Sequence, residues 1–177
     1  MTRRDAGFTL AALMLAPIFK LVEFVALPPL YRPDLLALLT AAAGRSLDPW
    51  VAAPVGFAVG LIEDLFVGRA LGVRAVSLAL AGVTSSLLKS VLDPDSAFSK
   101  MLGASAGTVT ADVISFGILR ARGTSVGLAY LLRYVIPGTL VWALALALPV
   151  GAAAERLARC IVRIWPSSDE GRKGVTA

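Results

Sequence analysis

The sequence contains no histidine and a single cysteine, Cys160. Without histidine the chain lacks the commonest metal ligand and general base in proteins, and with it the Ser/His/Asp and Cys/His mechanisms. One cysteine forms no internal disulfide. The sequence also lacks a P-loop, a Rossmann fingerprint and a Cys/His cluster with the spacing of metal ligands. We therefore expect no catalytic residues, no metal site and no cofactor.

Charged residues are scarce as well, at 16% of 177, whereas 57% of the residues are hydrophobic and the mean hydropathy is +0.78. Soluble domains are about 25% charged, so this chain has too few polar residues to cover a surface exposed to water. The net charge is +5, but the cations lie at the ends of apolar runs and not on one continuous face. This distribution excludes a nucleic-acid-binding surface and is typical of a membrane protein.

Six apolar segments predict an all-α membrane protein with a six-transmembrane-helix bundle in residues 1–150, since a spanning helix needs about 20 residues. They are Phe8–Leu30, Asp34–Ala43 (extending to Leu47 at most), Trp50–Val67, Leu71–Leu92, Phe98–Leu119 and Val126–Val150. The second segment is too short to span comfortably. The first follows two arginines as a secretion signal would, but Lys20 and Glu23 interrupt it, and we expect a retained helix.

The distribution of cations supports six spans with both termini in the cytoplasm. The predicted inner side carries ten cations: Arg3, Arg4, Arg45, Lys89, Lys100, Arg156, Arg159, Arg163, Arg172 and Lys173. The predicted outer side carries five: Arg32, Arg69, Arg74, Arg120 and Arg122. Cytoplasmic loops carry the excess of Lys and Arg. If the second segment did not cross, the two basic termini would lie on opposite sides. We therefore expect a multi-pass protein of the bacterial inner membrane.

The chain changes character after Val150. Arginines at positions 156, 159 and 163 alternate with apolar residues on another face, which predicts a basic amphipathic juxtamembrane helix in residues 151–165. Such a helix binds the anionic inner leaflet. Residues 166–177 are polar, and we expect a disordered cytoplasmic tail.

One stripe of the third segment combines small residues with an acid. Gly56, Gly60, Asp64 and Gly68 recur every four residues, so on a helix they share one face. Glycines on such a face let another helix approach closely. Asp64 has two interpretations: a buried carboxyl held by hydrogen bonds, which we favour, or a proton or ligand site. A lone acid without histidine or a second well-placed acid does not indicate catalysis.

Other charges inside the predicted spans need partners, because an unpaired one costs about 2.5–3.5 kcal/mol near mid-membrane. Asp112 in the fifth segment with Arg133 in the sixth is one candidate pair. Asp64 with Arg74 or Lys89 is another. Lys20 and Glu23 lie three residues apart on the first helix and can pair with each other.

These residues, taken in order, resemble the family of rod shape-determining protein MreD over about residues 8–160. The most specific part of the resemblance is Gly56-Phe57, Gly60, Asp64, Gly68 and Leu71-Gly72-Val-Arg74. The second segment opens with Tyr31, Arg32, Pro33 and Asp34, and Asp112 is followed by a last helix with a late proline, Pro149, and a basic C-terminus. The small residues Thr40–Ala43 depart from the family pattern, which often has bulkier ones there.

The resemblance implies a non-enzymatic subunit of the cell-wall elongation machinery. Proteins of this family associate with MreC and, through it, with RodA and a class B penicillin-binding transpeptidase, alongside cytoplasmic MreB. The resemblance also implies a fold similar to the six-helix substrate-binding subunits of energy-coupling-factor vitamin transporters. The structural or partner-binding candidates are Gly56, Gly60, Asp64, Gly68, Gly72, Arg32, Pro33, Asp34, Asp112 and Arg133.

Two functions from different classes follow. The first is a scaffold or regulatory subunit that binds MreC and contacts membrane lipid. The second is a transporter subunit that captures a vitamin-like ligand from the outer side. A ligand site combines apolar lining with several convergent polar groups, and the predicted outer loops are short and offer few. We favour the scaffold. An intramembrane protease is a third reading, without a nucleophile–base pair to support it.

Overall fold

In a computed structural model of the protein, residues 3–26, 34–68, 71–92, 96–123 and 127–164 are described, and every element among them is helical. The first five helices are α1 (Arg3–Ala26), α2 (Leu35–Ser46), α3 (Pro49–Val67), α4 (Val73–Leu88) and α5 (Ala97–Ala121). The last one begins with a short α-helical turn, α6 (Leu128–Tyr130), passes through a π-helical segment (Leu131–Val135) and continues as α7 (Ile136–Ile164). The helical order thus matches the six predicted segments.

The shortest of these six segments, α2, lies at the centre of the bundle. Nine of its 12 residues are buried, and it contacts α1, α3, α4, α5 and α7. A helix that is apolar on all sides is stable among other helices or in lipid, and α2 is surrounded by helices. Its first turn is held by the Asp34 carboxylate, which accepts a hydrogen bond from the Ala37 N–H at 2.9 Å.

Four helical stretches are long and apolar enough to cross a membrane, in α1, α3, α5 and the continuous last helix. The other two are shorter, with 12 residues in α2 and 16 in α4. At 1.5 Å per residue these measure about 18 and 24 Å, less than the roughly 30 Å of the hydrocarbon layer. The protein is therefore a multi-pass membrane protein in which four of the described helices have spanning length, and crossing by α2 and α4 remains a prediction.

Close backbone contacts join α3 and α4. A Cβ atom added at Gly60 would lie 2.4 Å from the Ala75 Cα, and one at Gly56 would lie 2.4 Å from the Leu78 carbonyl oxygen. Both distances are far inside van der Waals contact, and both neighbours are backbone atoms that cannot rotate away. The two glycines at the start of the predicted stripe therefore face α4.

The last helix continues without a break past Val150, the predicted end of the sixth span, through the residues of the predicted juxtamembrane helix to Ile164. Its later part packs on the start of α1. Ala154 and Ala158 are buried, and a Cβ on Gly7 would lie 3.0 Å from the Ala158 carbonyl oxygen. Small residues thus extend the helix contact beyond the predicted boundary. The predicted tail, residues 166–177, lies outside the described residues.

Candidate functional site

Polar side chains from five helices meet at the end of the bundle where α3 turns into α4. The ends of α1, α3 and α5 and the starts of α2 and α4 all lie there, because consecutive helices run in opposite directions. The members of this polar cluster are Lys20, Glu23, Asp34, Glu63, Asp64, Arg74, Ser77, Asp112 and Ser115.

Arg74, at the start of α4, binds groups in three directions. Its Nε donates to Glu63 Oε2 at 3.1 Å, its Nη1 donates to Ser115 Oγ at 3.2 Å, and its Nη2 forms an ion pair with Asp34 Oδ2. The planar guanidinium carries five donors in a fixed geometry, so it can hold several acceptors at once. Arg74 thereby ties α4 to the start of α2, to α3 and to α5.

Lys20 extends the polar cluster to α1. Its ammonium lies 3.2 Å from Glu23 Oε1 and 3.2 Å from Glu63 Oε1. The predicted pairing of Lys20 with Glu23 is confirmed, and Glu63 joins it from α3. Since Glu63 binds both Lys20 and Arg74, it connects α1 to the rest of the cluster.

Among the described residues, the partners of the Asp64 carboxylate are main-chain N–H groups and not a side-chain cation. Its Oδ2 accepts from the Gly72 N–H at 2.7 Å and the Ala75 N–H at 3.4 Å, and its Oδ1 accepts from the Arg74 N–H at 3.3 Å. The first N–H groups of a helix have no partner within that helix, and its positive dipole end favours an anion. Asp64, from the last turn of α3, supplies that anion to α4.

The predicted ion pairs of Asp64 are therefore wrong. The Arg74 side chain extends away from Asp64 to Glu63 and Asp34. Lys89 lies at the far end of α4, where it donates to the Leu47 carbonyl at 2.7 Å and pairs with Asp48 at 3.3 Å. The start of α4 brings the N–H groups of Gly72, Arg74 and Ala75 to Asp64.

The predicted pair of Asp112 with Arg133 is also wrong. The Asp112 carboxylate interacts electrostatically with Arg74 and forms a hydrogen bond with the Thr139 hydroxyl of α7. Arg133 is exposed and lies in the π-helical segment, whose buried residue is Leu131. Leu131 takes the inward position there, which leaves Arg133 pointing away from the bundle.

Two glycines shape the turn that delivers the Gly72 N–H to Asp64. Gly68 ends α3 with φ 61°, and Gly72 precedes α4 with φ 95°. A Cβ at either position would meet nothing within 4 Å. Glycine is thus favoured at both positions by backbone conformation and not by packing.

Acids outnumber cations in the polar cluster, with Glu23, Asp34, Glu63, Asp64 and Asp112 against Lys20 and Arg74. Among the described residues, Glu23 Oε2 and Asp112 Oδ2 are buried without a hydrogen-bond partner. Within the same residues no group of three or more His, Cys, Asp or Glu side chains is arranged to hold a metal ion. The ion pairs and hydrogen bonds of the polar cluster hold five helices in fixed relative positions.

A comparison with protein-family models matches residues 6–150 to rod shape-determining protein MreD. This range includes every member of the polar cluster. The chain belongs to the MreD family. The resemblance indicated by the sequence motifs is therefore confirmed, while searches of the curated proteins and of the solved structures found no match. The C-terminal part of α7, residues 151–164, lies beyond the range matched by the MreD model.

The structure brings together some of the residues singled out in the MreD-like motifs and separates others. Asp34, Asp64 and Asp112 belong to the polar cluster, and Gly72 donates to it. Arg32 and Pro33 lie outside the described residues. The sequence analysis did not single out Glu63, Ser77 and Ser115. Glu63 was detectable as a second acid beside Asp64 in an apolar helix, whereas the serines give no such signal.

Proposed function

We propose that this MreD-family protein is a non-enzymatic membrane subunit of the cell-wall elongation machinery. In this role it binds MreC and, through it, RodA and a class B penicillin-binding transpeptidase, with MreB on the cytoplasmic side. It thereby supports rod shape and lateral peptidoglycan synthesis. The observation that carries the proposal is the family match over residues 6–150.

The geometry of the polar cluster favours a structural role over a catalytic one. Arg74 and Lys20 bind carboxylates of neighbouring helices, and both Asp64 oxygens bind main-chain N–H groups. A reacting group must instead have access to a substrate, with a partner that takes or gives its proton. The cluster thus fits a subunit whose rigid bundle presents its outer surface to partners.

The alternative, a substrate-binding subunit of an energy-coupling-factor-type vitamin transporter, needs an outward-facing cavity. The cavity beside Asp34 and Thr139 measures about 10 Å³, room for about one water molecule. Sites for small organic ligands measure about 300–1,000 Å³. This cavity, formed by described residues, is too small for a vitamin-sized ligand.

The proposed location is the bacterial inner membrane, with six spans and both termini in the cytoplasm. Reporters fused after Arg4 and after Pro166 should both report cytoplasm, and one fused within residues 120–125 should report the outside. In this orientation the polar cluster lies near the outer leaflet. A periplasmic reporter signal from the C-terminus would contradict six spans.

Co-purification from membranes tests the proposed partnership. The tagged full-length chain should retain MreC, and cells depleted of the chain should lose rod shape. Gly60→Leu should reduce the amount of MreC retained and should fail to restore rod shape in depleted cells, because the new side chain forces α3 away from the α4 backbone. Gly117→Leu is the matched control, since a Cβ on Gly117 meets nothing within 4 Å. Normal rods after depletion, together with a bound vitamin-like ligand, would favour the transporter reading.

A further inference from the structure

A large cleft opens at the end of the bundle opposite the polar cluster. Its volume is about 1140 Å³, and it lies between α7, the starts of α1 and α5 and the ends of α2 and α4. The start of α1 contributes Phe8, and the C-terminal half of α7 forms one long wall. The polar cluster and the proposed function make no use of this space.

The polar part of the cleft lining is strongly positive. Glu155 is its one carboxylate, and its cations are Arg45, Lys89, Lys100, Arg159 and Arg163. Some of this charge is engaged, because Lys100 pairs with Glu155 at 3.3 Å and Lys89 with the exposed Asp48 at 3.3 Å. Arg45 donates to the Ser99 carbonyl oxygen at 2.8 Å and to the Ser99 hydroxyl at 2.9 Å, whereas Arg159 and Arg163 are exposed on α7.

Most of the other lining residues are apolar. Phe8, Ala104, Ala147, Leu148 and Val162 form much of it. Gly151 also lines the cleft, and a Cβ on Gly151 would meet nothing within 4 Å. The cleft therefore offers a cluster of cations at the bundle end beside a smooth apolar wall, which suits a molecule with an anionic head and a hydrocarbon chain.

We propose that this cleft binds an anionic phospholipid. The phosphate lies among the cations, and an acyl chain runs along the apolar wall of α7. In the proposed orientation the cleft opens to the inner leaflet, where basic pockets between helices bind anionic headgroups. Inorganic phosphate would use the cations but leave the apolar wall exposed. Arg159 and Arg163 lie beyond the range matched by the MreD model, so the site depends on residues of this chain outside that match.

The first test changes charge. The purified full-length chain is incubated with equal amounts of phosphatidylglycerol and phosphatidylcholine in neutral detergent, and native mass spectrometry counts the bound lipid. Wild type should retain phosphatidylglycerol preferentially. Arg159→Gln should weaken its binding about five-fold, the equivalent of about 1 kcal/mol for one cation near anionic lipid. Glu155→Gln should strengthen it, because the one carboxylate of the lining is removed.

Arg156→Gln is the matched control for the charge test. Arg156 is exposed on the same helix but does not line the cleft, so lipid binding should stay at the wild-type level. Equal losses in Arg156→Gln and Arg159→Gln would overturn the proposal, because general surface charge would then explain the binding. Equal retention of the two lipids by wild type would overturn it as well.

The second test fills the cleft and leaves its charges in place. Gly151→Phe should block retention of phosphatidylglycerol, whereas Gly117→Phe, at an open position outside the cleft, should not. Inorganic phosphate should fail to displace the lipid at equal concentration. Full displacement would assign the site to a free anion. If Gly151→Phe instead abolished co-purification of MreC while lipid retention stayed unchanged, the cleft would be a protein-docking site, and the lipid proposal would be refuted.

Discussion

Asp64 offers the sharpest test of how the α3–α4 unit is stabilised. Its carboxylate is buried and accepts hydrogen bonds from three N–H groups, those of Gly72, Arg74 and Ala75. If these bonds are the whole of its role, Asp64→Asn should be tolerated and Asp64→Leu should not. If the negative charge itself is required, both substitutions should be about equally damaging.

The expected magnitudes follow from counting acceptors. An amide keeps one acceptor oxygen, which can take the place of Oδ2 and serve the Gly72 and Ala75 N–H groups. The bond from the Arg74 N–H to Oδ1, 3.3 Å, is then lost, and the substitution should cost about 0.5–1.5 kcal/mol. Leucine leaves all three N–H groups without this acceptor, and it should cost at least about 3 kcal/mol.

Thermal unfolding in detergent micelles, followed by circular dichroism, compares the stabilities of the variants. We expect wild type to be the most stable, Asp64→Asn to be intermediate and Asp64→Leu to be the least stable. Asp48 provides the matched control, because it precedes α3 as an N-cap but makes no side-chain capping bond and is exposed. Asp48→Asn and Asp48→Leu should both stay within about 0.5 kcal/mol of wild type. Equal destabilisation by Asp64→Asn and Asp64→Leu would refute the hydrogen-bond account and would indicate that the negative charge of Asp64 is required.

Three other substitutions test separate contacts by the same unfolding measurement. Arg74→Lys should destabilise by about 1.5–3 kcal/mol, because an ammonium cannot reach all three directions of the guanidinium; the exposed Arg120→Lys should change nothing measurable. Gly44→Ala should cost about 1–3 kcal/mol, since its Cβ would lie 2.5 Å from a carbonyl oxygen of α4, whereas Gly117→Ala, in open space, should be neutral or stabilising. Gly72→Ala should cost about 1–2 kcal/mol from its positive φ alone; a wild-type midpoint in this variant would mean that the turn adopts another conformation.

The fold was largely predictable because hydropathy reports helices in lipid directly. Each of the six apolar segments corresponds to a helical region. Gly56 and Gly60 lie four residues apart, the spacing that places small residues on one helix face, and both contact the α4 backbone. What was not predictable in this way is that the last span and the helix predicted in residues 151–165 form one continuous helix. The arginines after Val150 indicate a membrane surface, but the small residues Ala154 and Ala158, which pack on α1, continue the helix across that boundary.

The ion pairs were harder to predict than the helices. Lys20 and Glu23 are three residues apart, so helix geometry alone brings them together. Asp34 and Arg74 are separated by two helices and meet only because the starts of α2 and α4 are adjacent. Hydropathy contains no information on which helices are neighbours. An acid inside a span therefore predicts that a partner exists, but it does not identify the partner, and the amide groups at the start of α4 were not considered as partners for Asp64.

The two ends of the bundle respond differently to substitution, and this affects how loss of function should be interpreted. In the polar cluster, groups such as Arg74 bind several helices, so removing one disturbs the whole bundle and any partner surface on it. At the cleft, Arg159 is exposed and its Nε donates to the Glu155 carbonyl of its own helix at 3.3 Å, so its replacement leaves the packing of the helices intact. Loss of rod shape in an Arg74 variant is consequently no indication that Arg74 touches MreC. Loss of rod shape in an Arg159 variant with a wild-type unfolding midpoint would instead point to a ligand or partner bound at the cleft itself.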